Sequence, residues 1–207
     1  MPKVKLTKTE LKAQKEALSR YEKFLPMLQL KKSQLQAELG AMRSAEEALA
    51  QRESGLLDGV RPWIGLMAGA AAPALSVRLA GVRTHSGNIA GVEIPVFDGI
   101  DVEKGSADPW DTPEWIDDAD DAAQALMALR AERAVAAEQV RLVAEELRTT
   151  SQRVNLFEKV KIPECRECIR VINVALGDEQ TSSVARGKIA KGRQAKLAPP
   201  PTPEGNQ

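Results

Sequence analysis

LSRYEKFLPMLQLKKSQLQAELGAMRSAEEAL, residues 18–49, decides the fold. Leu18, Tyr21, Leu25, Leu28, Lys32, Leu35, Leu39, Met42, Glu46 and Leu49 follow one another at alternating steps of three and four. That spacing keeps one stripe of an α-helix against a partner helix over many turns. A second stripe runs through Leu126, Leu129, Arg133, Ala136, Val140, Val143, Leu147, Thr150, Val154 and Phe157. It is smaller and poorer in leucine, as a facing stripe is. Together they predict an all-α fold, a long antiparallel two-helix coiled coil with a small β-hairpin or irregular insert between the helices. Periodicity alone also admits parallel pairing of two chains. The charged stripe positions Lys32, Glu46 and Arg133 are read first as long side chains snorkelling out of the interface, and alternatively as residues that set register.

Downstream, RVNLFEKVKIPECRECIRVINVAL (153–176) carries the second helix on, interrupted by Pro163 and by a Cys-x-x-Cys at 165–168. A proline inside a helix costs about 3 kcal/mol or more, because a hydrogen bond is lost and the ring crowds the preceding turn. Cys165, Ile169, Ile172 and Leu176 resume the apolar face beyond it. Each buried Leu or Ile contributes about 1.5–3 kcal/mol, so a few such contacts offset one proline. Pro163 is therefore read as a kink within one helix, and Pro26 in the first helix likewise.

Four regions follow: a first coiled-coil helix over 1–57, an insert over 58–110, a second helix over 111–197 and a disordered tail over 198–207. In the insert, SVRLAGVRT (76–84) and GVEIPVF (91–97) alternate apolar and polar residues, and the polar HSGN (85–88) between them predicts a hairpin turn. Pro95 confines its strand to an edge. Asp111 or Thr112 can cap the second helix, Pro113 suits its first turn, and the acids of IDDADD (116–121) complement a helix start. Those acids lack the glycine-centred spacing of a calcium loop. PPPTP at 199–203 ends any helix.

The chain holds 29 basic and 29 acidic residues, which excludes a uniformly basic nucleic-acid binder. The charges are polarised, with nine Lys or Arg against four Glu in 1–39, ten acids against Lys104 alone in 97–121, and five basic residues without an acid in 183–196. Lys5, Lys8 and Lys12 at one end and Arg186, Lys188 and Lys191 at the other come without stacking aromatics, which disfavours single-stranded nucleic acid and leaves long-range attraction to an acidic protein surface. WIGLMAGAAAPAL (63–75) is too short to span a bilayer, and MPKVKLTKTE has no apolar run after its charges, so a cytosolic protein with reduced thiols is expected.

Little here points to catalysis. One Cys-x-x-Cys is half a zinc site at best, and Glu164 and Glu167 beside it oppose thiolate formation. His85, the only histidine, is read as an exposed turn residue, and Gly187 and Lys188 lack the upstream glycine of a phosphate loop. No cofactor or metal is expected.

Three ordered stretches resemble the D subunit of V/A-type rotary ATPases. Arg153, Val154, Asn155 and Glu158, then Ile162 and Pro163, then Ile169, Ile172 and Leu176, then Arg186, Lys188 and Lys191 follow the order of its C-terminal signature. LQLKKSQLQAEL (28–39) is similar to its first-helix Leu-x-x-Lys segment, and GNIAGVEIPVF (87–97) to its central Gly-Val-x-Ile/Val-Pro element. Leu156 and Phe157, the Gly177 and Gln180–Ser183 stretch, and the Cys-x-x-Cys depart from that pattern. The resemblance implies a central-stalk rotor on the cytoplasmic side of a membrane. Its implied partners are a catalytic hexamer of nucleotide-binding subunits entered by both termini, a small companion stalk subunit and a membrane-rotor adaptor subunit. The lysines and arginines at the ends are then candidate contacts with the catalytic head. A coiled-coil adaptor without a rotary role, and a thiol or zinc protein using Cys165 and Cys168, are the alternatives.

Overall fold

The computed structural model describes residues 5–62, 64–65, 75–105 and 115–197, with side chains to 194. Helix α1 spans Lys8–Val60, strands β1 and β2 span Val77–Ile89 and Val92–Lys104, and helix α2 spans Trp115–Leu156. A π-helical turn over Phe157–Lys161 leads into α3, Ile162–Leu197. The fold is the expected one, long helices paired antiparallel with a small hairpin between them in the chain. The helix-capping residues Asp111, Thr112 and Pro113, most of the 63–75 stretch and the tail from 198 lie outside the described residues.

Thr7 starts α1: its hydroxyl oxygen accepts from the Glu10 backbone N–H at 3.2 Å, satisfying one of the amides that a helix start leaves without a partner. Pro62, just past the last turn, suits the helix end. The contacts divide the chain into two units, Leu28–Arg153 and Met1–Met27 with Val154–Gln207.

In the first of these, Leu35, Leu39, Ile94 and Val143 form the buried core, flanked by Met42, Val140, Leu147 and the hairpin tip residues Ile89, Ala90 and Val92. The tip of the β-hairpin thus packs on the α1–α2 stripe, and Gln139 of α2 donates to the Pro95 carbonyl. The antiparallel direction is read from the ion pairs, since Lys31 meets Glu146 while the later Glu53 meets the earlier Arg130 and Arg133.

The hairpin differs from expectation. Its turn is Ala90–Gly91, with φ of 52° and 80°, and Ile89 pairs with Val92. A two-residue turn with both φ positive matches the twist of the strands, and the Asn88 side chain accepts from the Gly91 N–H at 3.0 Å. HSGN is therefore not the turn. His85, Ser86, Gly87 and Asn88 lie within β1, opposite Val96, Pro95, Ile94 and Glu93. Polar residues are accommodated there because β1 faces outward over most of its length. IDDADD departs in one residue: Asp117, Asp118 and Asp121 are exposed, but Asp120 is buried and accepts from both the backbone N–H and the hydroxyl of Ser76, tying the start of β1 to α2.

In the second unit, Tyr21 and Phe157 stack at 5.0 Å between ring centroids, tilted by 50°. Arg166 donates to Glu22 at 2.8 Å. Val154, Ile162, Cys165 and Ile172 are buried. Pro163 is the second residue of α3 and the helix runs on through it. The adjustment lies just upstream, where the Ile162 N–H bonds back to the Phe157 carbonyl in the wider π pattern. A proline ring crowds the carbonyl four residues earlier, here that of Lys159, and a π turn at that point loosens the spacing. From Gly177 to Gln194 every residue of α3 is exposed.

Candidate functional site

Nothing in the two units has the form of a catalytic centre among the described residues; what they offer is a helix–helix interface. None of the stripe positions is exposed. Leu18, Leu25, Leu28, Leu126, Val140, Leu147 and Ile169 are half-buried, and Leu35, Leu39, Leu129, Val154 and Ile172 are buried. Leu35, Val143 and Ile172 reach 0% exposure. Thr150 is buried as well, and its Oγ1 finds no hydrogen-bond partner.

Polar contacts between helices distant in the chain frame that interface. Lys31 Nζ donates to Glu146 Oε1 at 2.7 Å. Glu53 is buried at 9% exposure, with Arg130 Nε donating to Oε1 and Arg133 donating to Oε2, each at 2.8 Å. The hydrogen bond from Arg130, then that from Arg133, holds the Glu53 carboxyl below its usual range. Arg133 therefore does not simply run out to solvent, as snorkelling predicts. Neither Glu53 nor Arg130 belongs to the stripes expected from the sequence. The signal for Glu53 existed, because the three-four alternation continued one step past Leu49 lands on it.

The two cysteines are free, Cys165 buried and Cys168 half-buried. Burial first, then the charges of Cys168 and Glu164, push the Cys165 thiol up. Glu167, expected to act on the thiols, is instead tied to Arg170 at 2.6 Å and 2.9 Å. Among the described residues no group of three His, Cys, Asp or Glu could hold a metal. His85 Nδ1 lies 2.7 Å from Asp98, 13 residues on in the chain, on an exposed face of the hairpin. Only the strand pairing brings that acid to it. Of the basic candidates, Lys5, Lys8, Lys12, Arg186, Lys188 and Lys191 are all exposed; Lys12 pairs with Glu16 at 3.9 Å, and Arg186 donates to the Ser182 carbonyl at 3.3 Å.

A family model described as the D subunit of ATP synthase matches residues 10–192, which takes in both stripes, the hairpin and the ion pairs between them. The chain belongs to the ATP synthase D-subunit family. A protein from Borreliella burgdorferi, named as the D subunit of a V-type ATP synthase, is 40% identical over 191 residues, covering 92% of this chain and 95% of its own length. Proteins of the same name from Chlamydia caviae and Chlamydia abortus are 38% and 36% identical, each covering 91% of this chain and 92% of its own length. Membership makes the chain one component of a multisubunit ATPase. No described helix is long and apolar enough to cross a membrane.

Proposed function

We propose that this chain is the central-stalk rotor of a V/A-type rotary ATPase, coupling ATP hydrolysis or synthesis in a catalytic head to ion transport through a membrane sector. Its part is mechanical. The observation that carries this reading is the locking of α1 to α2 by buried stripe residues and by ion pairs between residues 77 to 115 apart in the chain, so that turning one helix moves the other. Family membership supplies the nucleotide chemistry, which resides in other subunits.

The exposed end of α3, with Arg186, Lys188 and Lys191, and the start of α1, with Lys5, Lys8 and Lys12, are the surfaces for the nucleotide-binding hexamer. The described side chains of α3 after Leu176 are all exposed, so they have no packing duty within their own chain and are free to seat in a partner. An apolar hollow in the Leu28–Arg153 unit, lined by Leu56, Leu57, Val60, Ala123 and Leu126, suits the membrane-rotor adaptor, and a small companion stalk subunit binds the helix pair. The complex is peripheral, on the cytoplasmic side of its membrane.

The test is deletion of 184–207. The isolated chain should melt as before, since no described side chain there is buried, while the assembled complex should lose ATP-driven ion transport. A truncated complex that transports normally would sink the reading.

A further inference from the structure

We propose that Glu53 is the register pin of the α1–α2 pair: its carboxylate, gripped by Arg130 and Arg133, keeps the helices from sliding past each other under load. The load rests on the rotor reading above; the pin itself rests on geometry.

Glu53 occupies the stripe position that follows Leu49, where an apolar residue would bury more surface. It is instead a buried carboxylate with both oxygens engaged, each by a different guanidinium, from arginines three residues apart on α2. Apolar packing is non-directional, and the α2 stripe is rich in Ala and Val, so neighbouring registers differ little in the area they bury. The ion triad is directional, since its two hydrogen bonds are both made in one register. Arg130 and Arg133 stand three residues, about 4.5 Å, apart along α2. A slide of one helical turn, about 5.4 Å, therefore brings one of them near the place of the other and carries the second out of reach, leaving one Glu53 oxygen against Leu126 or Leu129 in one direction and Ala134 or Ala137 in the other. A buried carboxylate that loses half of its hydrogen bonding is disfavoured, so Glu53 adds a directional penalty on wrong registers to the one that packing imposes. The Lys31–Glu146 pair is a second point with a single hydrogen bond, its side chains 33% and 29% exposed, whereas Glu53, 12% exposed, is held by two arginines 58% and 44% exposed.

The experiment uses the complete complex with Glu53→Gln, Glu53→Leu, and a charge-reversed chain carrying Glu53→Arg, Arg130→Glu and Arg133→Glu. Spin labels at the exposed Ser54 and Ala125 report register, and ion transport per ATP hydrolysed reports coupling. Glu53→Leu should melt near the parent temperature, because the leucine is buried in place of the carboxylate while Arg130 and Arg133, with side chains 58% and 44% exposed, turn to solvent. Its label distances should nonetheless split into populations about one helical turn apart, and its transport per ATP should fall at least about twofold, as a helix pair that slips loses part of each stroke. Charge reversal should restore both readouts. A single parental distance in both Glu53→Gln and Glu53→Leu overturns the pin, as does full transport per ATP in Glu53→Leu. The double change Leu28→Ala and Leu35→Ala separates the two claims. Coupling lost there but intact in Glu53→Leu overturns the pin and leaves the rotor; coupling intact in both overturns the rotor reading itself.

Discussion

Lys31 Nζ on α1 lies 2.7 Å from Glu146 Oε1 on α2, a contact between residues 115 apart in the chain. Exposed surface pairs contribute little, and this one, with side chains 33% and 29% exposed, contributes somewhat more. Changing each residue to Ala singly and together should give a coupling energy of about 0.5–1 kcal/mol at low salt, falling toward zero near 1 M salt as the charges are screened. A coupling that stays constant with salt would contradict an ionic contact.

Leu35 is the centre of the buried core at 0% exposure, whereas Leu30, five residues earlier on the same helix, is 62% exposed. Leu35→Ala should lower stability by about 3 kcal/mol, from lost transfer energy and the cavity left behind. Leu30→Ala should cost less than about 0.5 kcal/mol. Urea unfolding followed by helicity compares them, and equal effects would contradict the orientation of α1.

Thr150 carries a buried hydroxyl without a partner. An unmatched buried polar group costs about 1–3 kcal/mol, so the nearly isosteric Thr150→Val should raise stability by about 1 kcal/mol. A lowered melting temperature would mean that the hydroxyl is engaged in solution.

The Glu53 carboxyl titrates below its ordinary value of 4.5 because Arg130 and Arg133 donate to it. A depressed folded-state value means that its stabilising effect is fully present above pH 4.5 and is lost as pH falls through the lower folded value. The melting-temperature difference between parent and Glu53→Gln should therefore hold steady from pH 7 down to about 5 and shrink at more acid pH. A difference that persists undiminished at pH 3 would contradict the linkage.

Burial holds the Cys165 thiol above its usual range, and Cys168 beside it is half-buried. Iodoacetamide at pH 8 should modify Cys168 first and Cys165 slowly, since the thiolate is the reacting form. Mass spectrometry of timed samples reads the order, and faster labelling of Cys165 would contradict its packing.

Much of the fold was legible in the residues alone, for a local reason. Which side chains share one face of a helix depends on the 3.6-residue turn within that helix, so the stripes from Leu18 to Leu49 and from Leu126 to Phe157 could be read without knowing their partner. The hairpin was legible as a pair of alternating strands but misplaced at its turn. Polarity drew attention to HSGN, while the backbone required positive φ at two adjacent residues, which Ala90 and Gly91 supply. Which residue meets which across the interface belongs to the tertiary structure. Lys31 with Glu146, and Glu53 with Arg130 and Arg133, follow from how far one helix is displaced along the other, a quantity set by packing summed over the interface and encoded in no single stretch. The same holds for Pro163: its presence announced a disturbance, and only the folded helix showed that a π turn over Phe157–Lys161 absorbs it, because the room for an extra residue per turn depends on what packs against it.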